Sequence, residues 1–123
     1  MDVSALTASD IDAMWAINEQ GLPGTGKVSK KEIVQLLEFS SLSVGAYNQG
    51  ELVGFVVCLP PRTAYGSLNY AWFNEHYESF VYVDRIAVSE ENRNKGVGSA
   101  LYDHVVLYSK QHGVPVAAEV NRE

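Results

Sequence analysis

The stretch from residue 79 to residue 120 constrains the fold most. Residues 79–88, Ser-Phe-Val-Tyr-Val-Asp-Arg-Ile-Ala-Val, are the richest β-branched and aromatic run in the chain and predict a strand. A glycine-containing turn follows. Val97, Leu101, Val105 and Tyr108 then recur at helical spacing and predict a helix over 97–111, with Gly113 as its stop. Residues 114–120 predict a last strand. Strand, helix, strand in that order is a β-α-β crossover, so the two strands should lie parallel in one sheet.

Upstream, residues 3–6 predict a short strand. Thr7-Ala8-Ser9-Asp10 has the spacing of a capping box, and Ile11, Met14, Trp15 and Asn18 continue it as a helix near 8–20. A second box, Ser29-Lys30-Lys31-Glu32, precedes Ile33, Val34, Leu36 and Leu37, which share one face of a helix over 30–39. Residues 42–47 and 51–59 then change to a β-rich pattern around Asn48-Gln49-Gly50, the signature of an antiparallel hairpin. Pro60-Pro61 ends the second of these strands, because proline cannot donate to a ladder. Residues 62–78 read as an irregular connection carrying Tyr65, Tyr70, Trp72, Phe73 and Tyr77. The predicted order is β-α-α-β-β-β-α-β, a mixed α/β (α+β) domain. A chain of 123 residues suits one such domain, spanning 1–123.

Composition removes several function classes. The net charge is −6 with no long basic run, which argues against a nucleic-acid partner. A single cysteine, Cys58, cannot form an internal disulfide. It sits in an apolar strand and reads as a packing thiol. No apolar run reaches the ~18 residues of a membrane helix, and the N-terminus lacks signal-peptide regions, so the expected location is cytoplasmic with no membrane partner. His76, His104 and His112 lack metal-ligand spacing, and no metal is expected.

The chemistry-bearing stretch is Val88-Ser89-Glu90-Glu91-Asn92-Arg93-Asn94-Lys95-Gly96-Val97-Gly98-Ser99-Ala100, between the strand and the helix. Gly96 and Gly98 permit a tight turn and a close backbone approach to a ligand. The amides of residues 94–99 then face outward at a helix start, where unpaired N–H groups and the positive dipole end attract phosphate oxygens. Arg93 and Lys95 add charge. On the glycines alone, a plain sharp strand-to-helix turn would be the better explanation. A second glycine-rich segment, Gly21-Leu22-Pro23-Gly24-Thr25-Gly26-Lys27-Val28, nearly matches a nucleotide-binding P-loop. It has Val28 where the metal-ligating hydroxyl belongs, and it follows a helix instead of a strand. It reads as an interhelical loop.

The pattern Arg93-x-x-Gly96-x-Gly98, placed after a strand ending Ile86-Ala87-Val88, resembles the acetyl-CoA signature of the GNAT superfamily, Q/R-x-x-G-x-G/A. The order of elements upstream resembles that fold as well. The resemblance implies a GNAT-like mixed sheet and an acetyl-CoA cosubstrate. Main-chain groups of Ile86, Ala87 and Val88 would pair with the pantetheine arm. Amides of Arg93, Asn94, Lys95, Gly96, Val97, Gly98 and Ser99 would hold the pyrophosphate, and Asn121 would lie near the pantetheine. In such folds the two parallel strands splay beyond a bulge and the thioester lies in the opening, where a main-chain N–H polarises its carbonyl. The implied activity is an N-acetyltransferase acting on a small-molecule or peptide primary amine. The alternative is a non-catalytic acyl-CoA-binding or regulatory module. Direct transfer needs a proton acceptor, and the candidates are Asp84, Glu119 and, at the entrance to the strand, Glu78. Strand alternation places Asp84 on the same face as Tyr82, Ile86 and Val88, and pairing with Arg85 is its rival structural role. The five aromatics of residues 62–78 would shape the acceptor pocket, or else cover the sheet. The interhelical loop would border the acceptor.

Compared with that fold, residues 1–123 lack a final helix and β-hairpin, so no general acid is named and the domain is expected to be C-terminally incomplete. The 114–120 strand edge is then expected either to support a homo-oligomer or to leave the chain marginally stable. Sedimentation over a concentration series tests the first and thermal melting the second, and a stable monomer with this edge covered would overturn the expectation.

Overall fold

Paired side-chain caps start the first two helices, as the sequence predicts. Thr7 N–H donates to Asp10 Oδ2 at 2.8 Å, opening a 3₁₀ turn (Ala8–Asp10) that runs into α1 (Ile11–Gln20). Ser29 N–H donates to Glu32 Oε1 at 3.1 Å and Glu32 N–H donates back to Ser29 Oγ at 3.1 Å, opening α2 (Lys30–Phe39). The computed structural model describes residues 1–65 and 67–118.

The strands are β1 (Asp2–Ala5), β2 (Leu42–Asn48), β3 (Glu51–Leu59), β4 (Val81–Val88) and β5 (Val116–Ala118). They form one sheet in the order β1-β2-β3-β4-β5, with β4 and β5 parallel and the other neighbours antiparallel. The β2–β3 turn takes positive φ at Gln49 (53°) and Gly50 (80°), so Gln49, not Asn48, adopts the left-handed conformation.

Helix α3 (Leu68–His76) occupies the segment read as an irregular connection. Ser67 caps it by accepting Tyr70 N–H at 3.3 Å. Fully buried Tyr70 anchors it, accepting Thr63 N–H at 2.8 Å and donating to the Pro60 carbonyl. Aromatic density and the upstream prolines masked a helical spacing of Tyr70, Phe73 and Tyr77. The predicted element order therefore holds with one helix added before β4. The two outer strands of the crossover are shorter than the predicted 79–88 and 114–120, and residues 119–120 lie outside the described set.

The sheet is covered on both faces. On one, Met14 and Ile17 of α1, Ile33 and Leu36 of α2, and Tyr70 of α3 pack on Phe55, Val57, Leu59 and Tyr82. On the other, helix α4 (Val97–His112) lays Val97, Leu101 and Val105 on Val56, Cys58, Val81 and Val83. Each of those three side chains contributes about 2 kcal/mol by leaving water. Double coverage explains why β3 reads as a continuous apolar run without alternation.

One extra residue changes the faces of β4. Val57 pairs with Arg85 and Cys58 with Val83, leaving Asp84 unmatched in a β-bulge. Alternation is thereby reversed. Tyr82 packs with the α1–α3 core while Ile86 and Val88 pack on the α4 side. The expected shared face of Tyr82, Asp84, Ile86 and Val88 is thus corrected.

Close packing of α4 on β3 depends on Gly54. A Cβ there would stand 2.9 Å from Val97 Cγ1 and 3.1 Å from the Ala87 carbonyl oxygen. Gly54→Val should cost about 1–3 kcal/mol through overpacking, read from the midpoint of a denaturant melt.

Candidate active site

A cleft of 440 Å³ opens beside the bulge. Its walls are residues 23–26 of the α1–α2 loop, residues 83–86 of β4, Tyr102 of α4 and Ala118 of β5. Among the described residues the parallel ladder ends at Val83–Ala118, while β4 continues to Val88. The cleft thus lies beside β4 at and just past the last described pair of the β4–β5 ladder.

Asp84 and Arg85 meet in this wall, with side chains only 4% and 10% exposed, and Arg85 Nε donates to Asp84 Oδ2 at 2.9 Å. Arg85 Nη1 also donates to Asn18 Oδ1 and to the Gly26 carbonyl, both at 3.0 Å. Asn18 is fully buried. Its Nδ2 donates to the same Gly26 carbonyl at 2.9 Å, and its own carbonyl accepts Thr25 Oγ1–H at 2.8 Å. The network ties the α1–α2 loop to the bulge, so this loop is fastened at its inner face. Burial works against the Arg85 charge, but Asp84 outweighs it and raises the guanidinium pKa. Burial and then the Asp84 charge push the Tyr65 hydroxyl up to about 12. The same causes push the Cys58 thiol up to about 12, leaving it protonated and inert, as its apolar strand predicts.

The turn after β4 is built as the sequence suggests. Asn94 and Gly96 take positive φ (64° and 81°), and Gly96 is the N-cap residue of α4. The first intrahelical bond runs from Ala100 N–H to the Gly96 carbonyl at 3.0 Å, so the amides of Val97, Gly98 and Ser99 precede the ladder and face outward. A Cβ on Gly96 would meet nothing within 4 Å, and one on Gly98 would meet only Val88 Cγ2 at 3.8 Å. Gly96 is needed for its backbone conformation. Gly98 has no such need within the chain itself, and its missing side chain leaves an open cradle over the helix start. Arg93 is not a free cation, because its Nε donates to the Val88 carbonyl at 3.2 Å and its Nη2 to the Gln20 carbonyl at 3.1 Å. Gln20 also accepts Glu90 N–H at 2.9 Å, so the end of α1 is tied to this turn. Lys95 is exposed.

The structure brings together Asp84, Ile86 and the loop at 23–26, with the 93–99 turn further along β4. Glu119 and Asn121 lie outside the described residues. Glu78 does not line the cleft, and its carbonyl accepts Arg62. Nor do the five aromatics line it. Tyr70 is core, Phe73 and Tyr77 frame a small recess of 100 Å³ beside β5, and Tyr65 alone acts on the Asp84–Arg85 pair. Sequence reasoning missed Tyr102 and Asn18 as site residues. A polar Asn18 on the apolar face of α1 was the available signal. No group of three or more metal-ligating side chains occurs among the described residues, and no helix among them is long and apolar enough to cross a membrane.

A family model, the acetyltransferase (GNAT) family, matches residues 11–123. The chain belongs to this family. Membership makes it an acyltransferase. Among solved structures, an aminoglycoside 6'-N-acetyltransferase from Acinetobacter haemolyticus is similar at TM-score 0.72 and 15% identity, covering 100% of this chain and 81% of that one. The ribosomal-protein-S18-alanine N-acetyltransferase of Escherichia coli gives TM-score 0.75 at 19% identity, covering 99% and 68%. A transcriptional regulator from Bacillus halodurans gives 0.73 at 14%, covering 98% and 82%. At such identities the likeness is one of fold. No curated protein sequence matches.

Asp84 and Arg85 neutralise each other in a nearly buried wall. Removing one leaves the other buried and unpaired, so Asp84→Ala should lower unfolding free energy by about 3–5 kcal/mol, measured by urea denaturation.

Proposed function

We propose that this GNAT-family chain moves an acetyl group from acetyl-CoA to a primary amine by direct attack. The observation that carries the reading is the 93–99 turn, where glycines leave the start of α4 open beyond the end of the strand whose bulge borders the cleft. The open amides of Val97, Gly98 and Ser99, with Lys95 beside them, suit pyrophosphate oxygens. The stretch of β4 from Ile86 to Val88 leads from that turn to the cleft, and offers main-chain groups to an extended pantetheine arm. Val88 offers less than the sequence suggests, since its carbonyl already accepts Arg93.

In the cleft an uncharged amine attacks the thioester carbonyl. The new bond is nitrogen to acetyl carbon, and the bond lost is acetyl carbon to sulfur. The amine gives up one proton and the departing thiolate gains one. Holding the two reactants in line supplies much of the rate. Asp84 keeps lone pairs beyond the one that Arg85 Nε occupies, and we assign it the amine's proton. Glu119 and Asn121 keep their proposed places as a second proton acceptor and a pantetheine contact.

Gly98→Val tests the turn. A Cβ here meets only Val88 Cγ2, at 3.8 Å, so the melting temperature should hold while CoA affinity falls on the order of 100-fold by calorimetry. Unchanged affinity would remove the phosphate assignment. Asp84→Asn keeps the shape and removes the base, so amine turnover should drop on the order of 100-fold at constant CoA affinity. Affinity for acetyl-CoA without thiol release, over a broad amine panel, would point instead to a binding module.

A further inference from the structure

We infer that the acceptor is an amine carrying a carbonyl or carboxylate on the adjacent carbon, and that Arg85 reads this oxygen. The inference rests on the acetyltransfer reading. Among the described residues, the cleft holds two charged side chains, Asp84 and Arg85, in contact with each other. A paired carboxylate gives a polycation nothing to neutralise it, so a polyamine would enter at a loss. The pair is instead a fixed dipole, with an acceptor of hydrogen bonds at Asp84 and donors at Arg85. The complementary ligand has an amine next to an oxygen.

The donor count identifies the atom. Arg85 has five N–H groups. Nε is committed to Asp84, and Nη1 to Asn18 and Gly26. Nη2 carries the remaining two, and the Tyr65 side chain also interacts with the guanidinium. Nη2 faces Gly26, where a Cβ would come within 3.9 Å of it. Gly26 has no side chain, and its φ is outside the region that requires glycine. Both residues line the cleft, and Gly26 puts no side chain against Nη2 there. A guanidinium held by three other bonds is pre-organised, so a ligand oxygen meets a fixed donor.

The experiment compares alaninamide with isopropylamine. They share the amine and its branched carbon, and only the first has a carbonyl. Rates are taken at equal concentrations of unprotonated amine, with acetyl-CoA saturating. The full-length wild type should favour alaninamide by about 10-fold or more in kcat/KM. Gly26→Val, which covers Nη2 and leaves Arg85 in place, should cut kcat/KM for alaninamide about 10-fold through KM and change isopropylamine little. Arg85→Lys keeps the cation and loses the fork, and should narrow the preference in the same direction. Free alanine and an alanyl dipeptide tell the two oxygen sources apart. A gain for the first assigns a carboxylate, and a gain for the second a peptide carbonyl. Equal rates for alaninamide and isopropylamine would overturn the inference and leave acetyltransfer standing. So would spermidine as the best acceptor, or variants that slow both amines alike, the mark of a mere strut. No transfer to any amine, with CoA still bound, would overturn both readings.

Discussion

The unmatched residue in β4 governs the arrangement of everything around it. Because Asp84 has no partner on β3, the strand arrives at residue 85 with its faces exchanged. Arg85 consequently reaches α1 and its following loop, where Asn18 and the Gly26 carbonyl receive it. Without the extra residue, regular alternation would aim this side chain at α4, into a packed layer of Val97, Leu101 and Val105. A buried cation there would have no partner, at a cost of several kcal/mol. The bulge and the charge pair therefore require each other.

Much of the architecture was legible in the sequence because it follows from local rules. Both capping boxes, the antiparallel hairpin and the β-α-β crossover stand where residue type and spacing put them. The 93–99 turn was legible for the same reason, since positive φ at Gly96 is a demand that few residues meet. Helix α3 was not. Its aromatic residues have no strong helical preference, and its stability comes from Tyr70 seated under the sheet, a contact distant in sequence.

The site's inner wall was hidden by the same distance. A strand period of two predicts faces correctly only while the ladder is regular, and no residue in 81–88 advertises a bulge. The partners that hold Arg85 besides Asp84 come from α1 and its loop, as far as 67 positions away. Asn18 looked like one polar residue in an apolar stripe. Its meaning emerged only once Arg85 lay against it.

The attachment of Gln20 has a thermodynamic meaning of its own. Its side chain accepts Glu90 N–H, and its carbonyl accepts Arg93, so the last turn of α1 and the turn that opens α4 share one set of hydrogen bonds. The same α1 carries Asn18, which fastens the loop at Gly26. Any ligand that steadies one end of this linkage steadies the other, and the free energy is exchanged equally in both directions. Under the proposed function, a ligand held at the 93–99 turn and one held in the cleft would be coupled through α1, which is bonded to the turn at Gln20 and to the cleft's loop at Asn18.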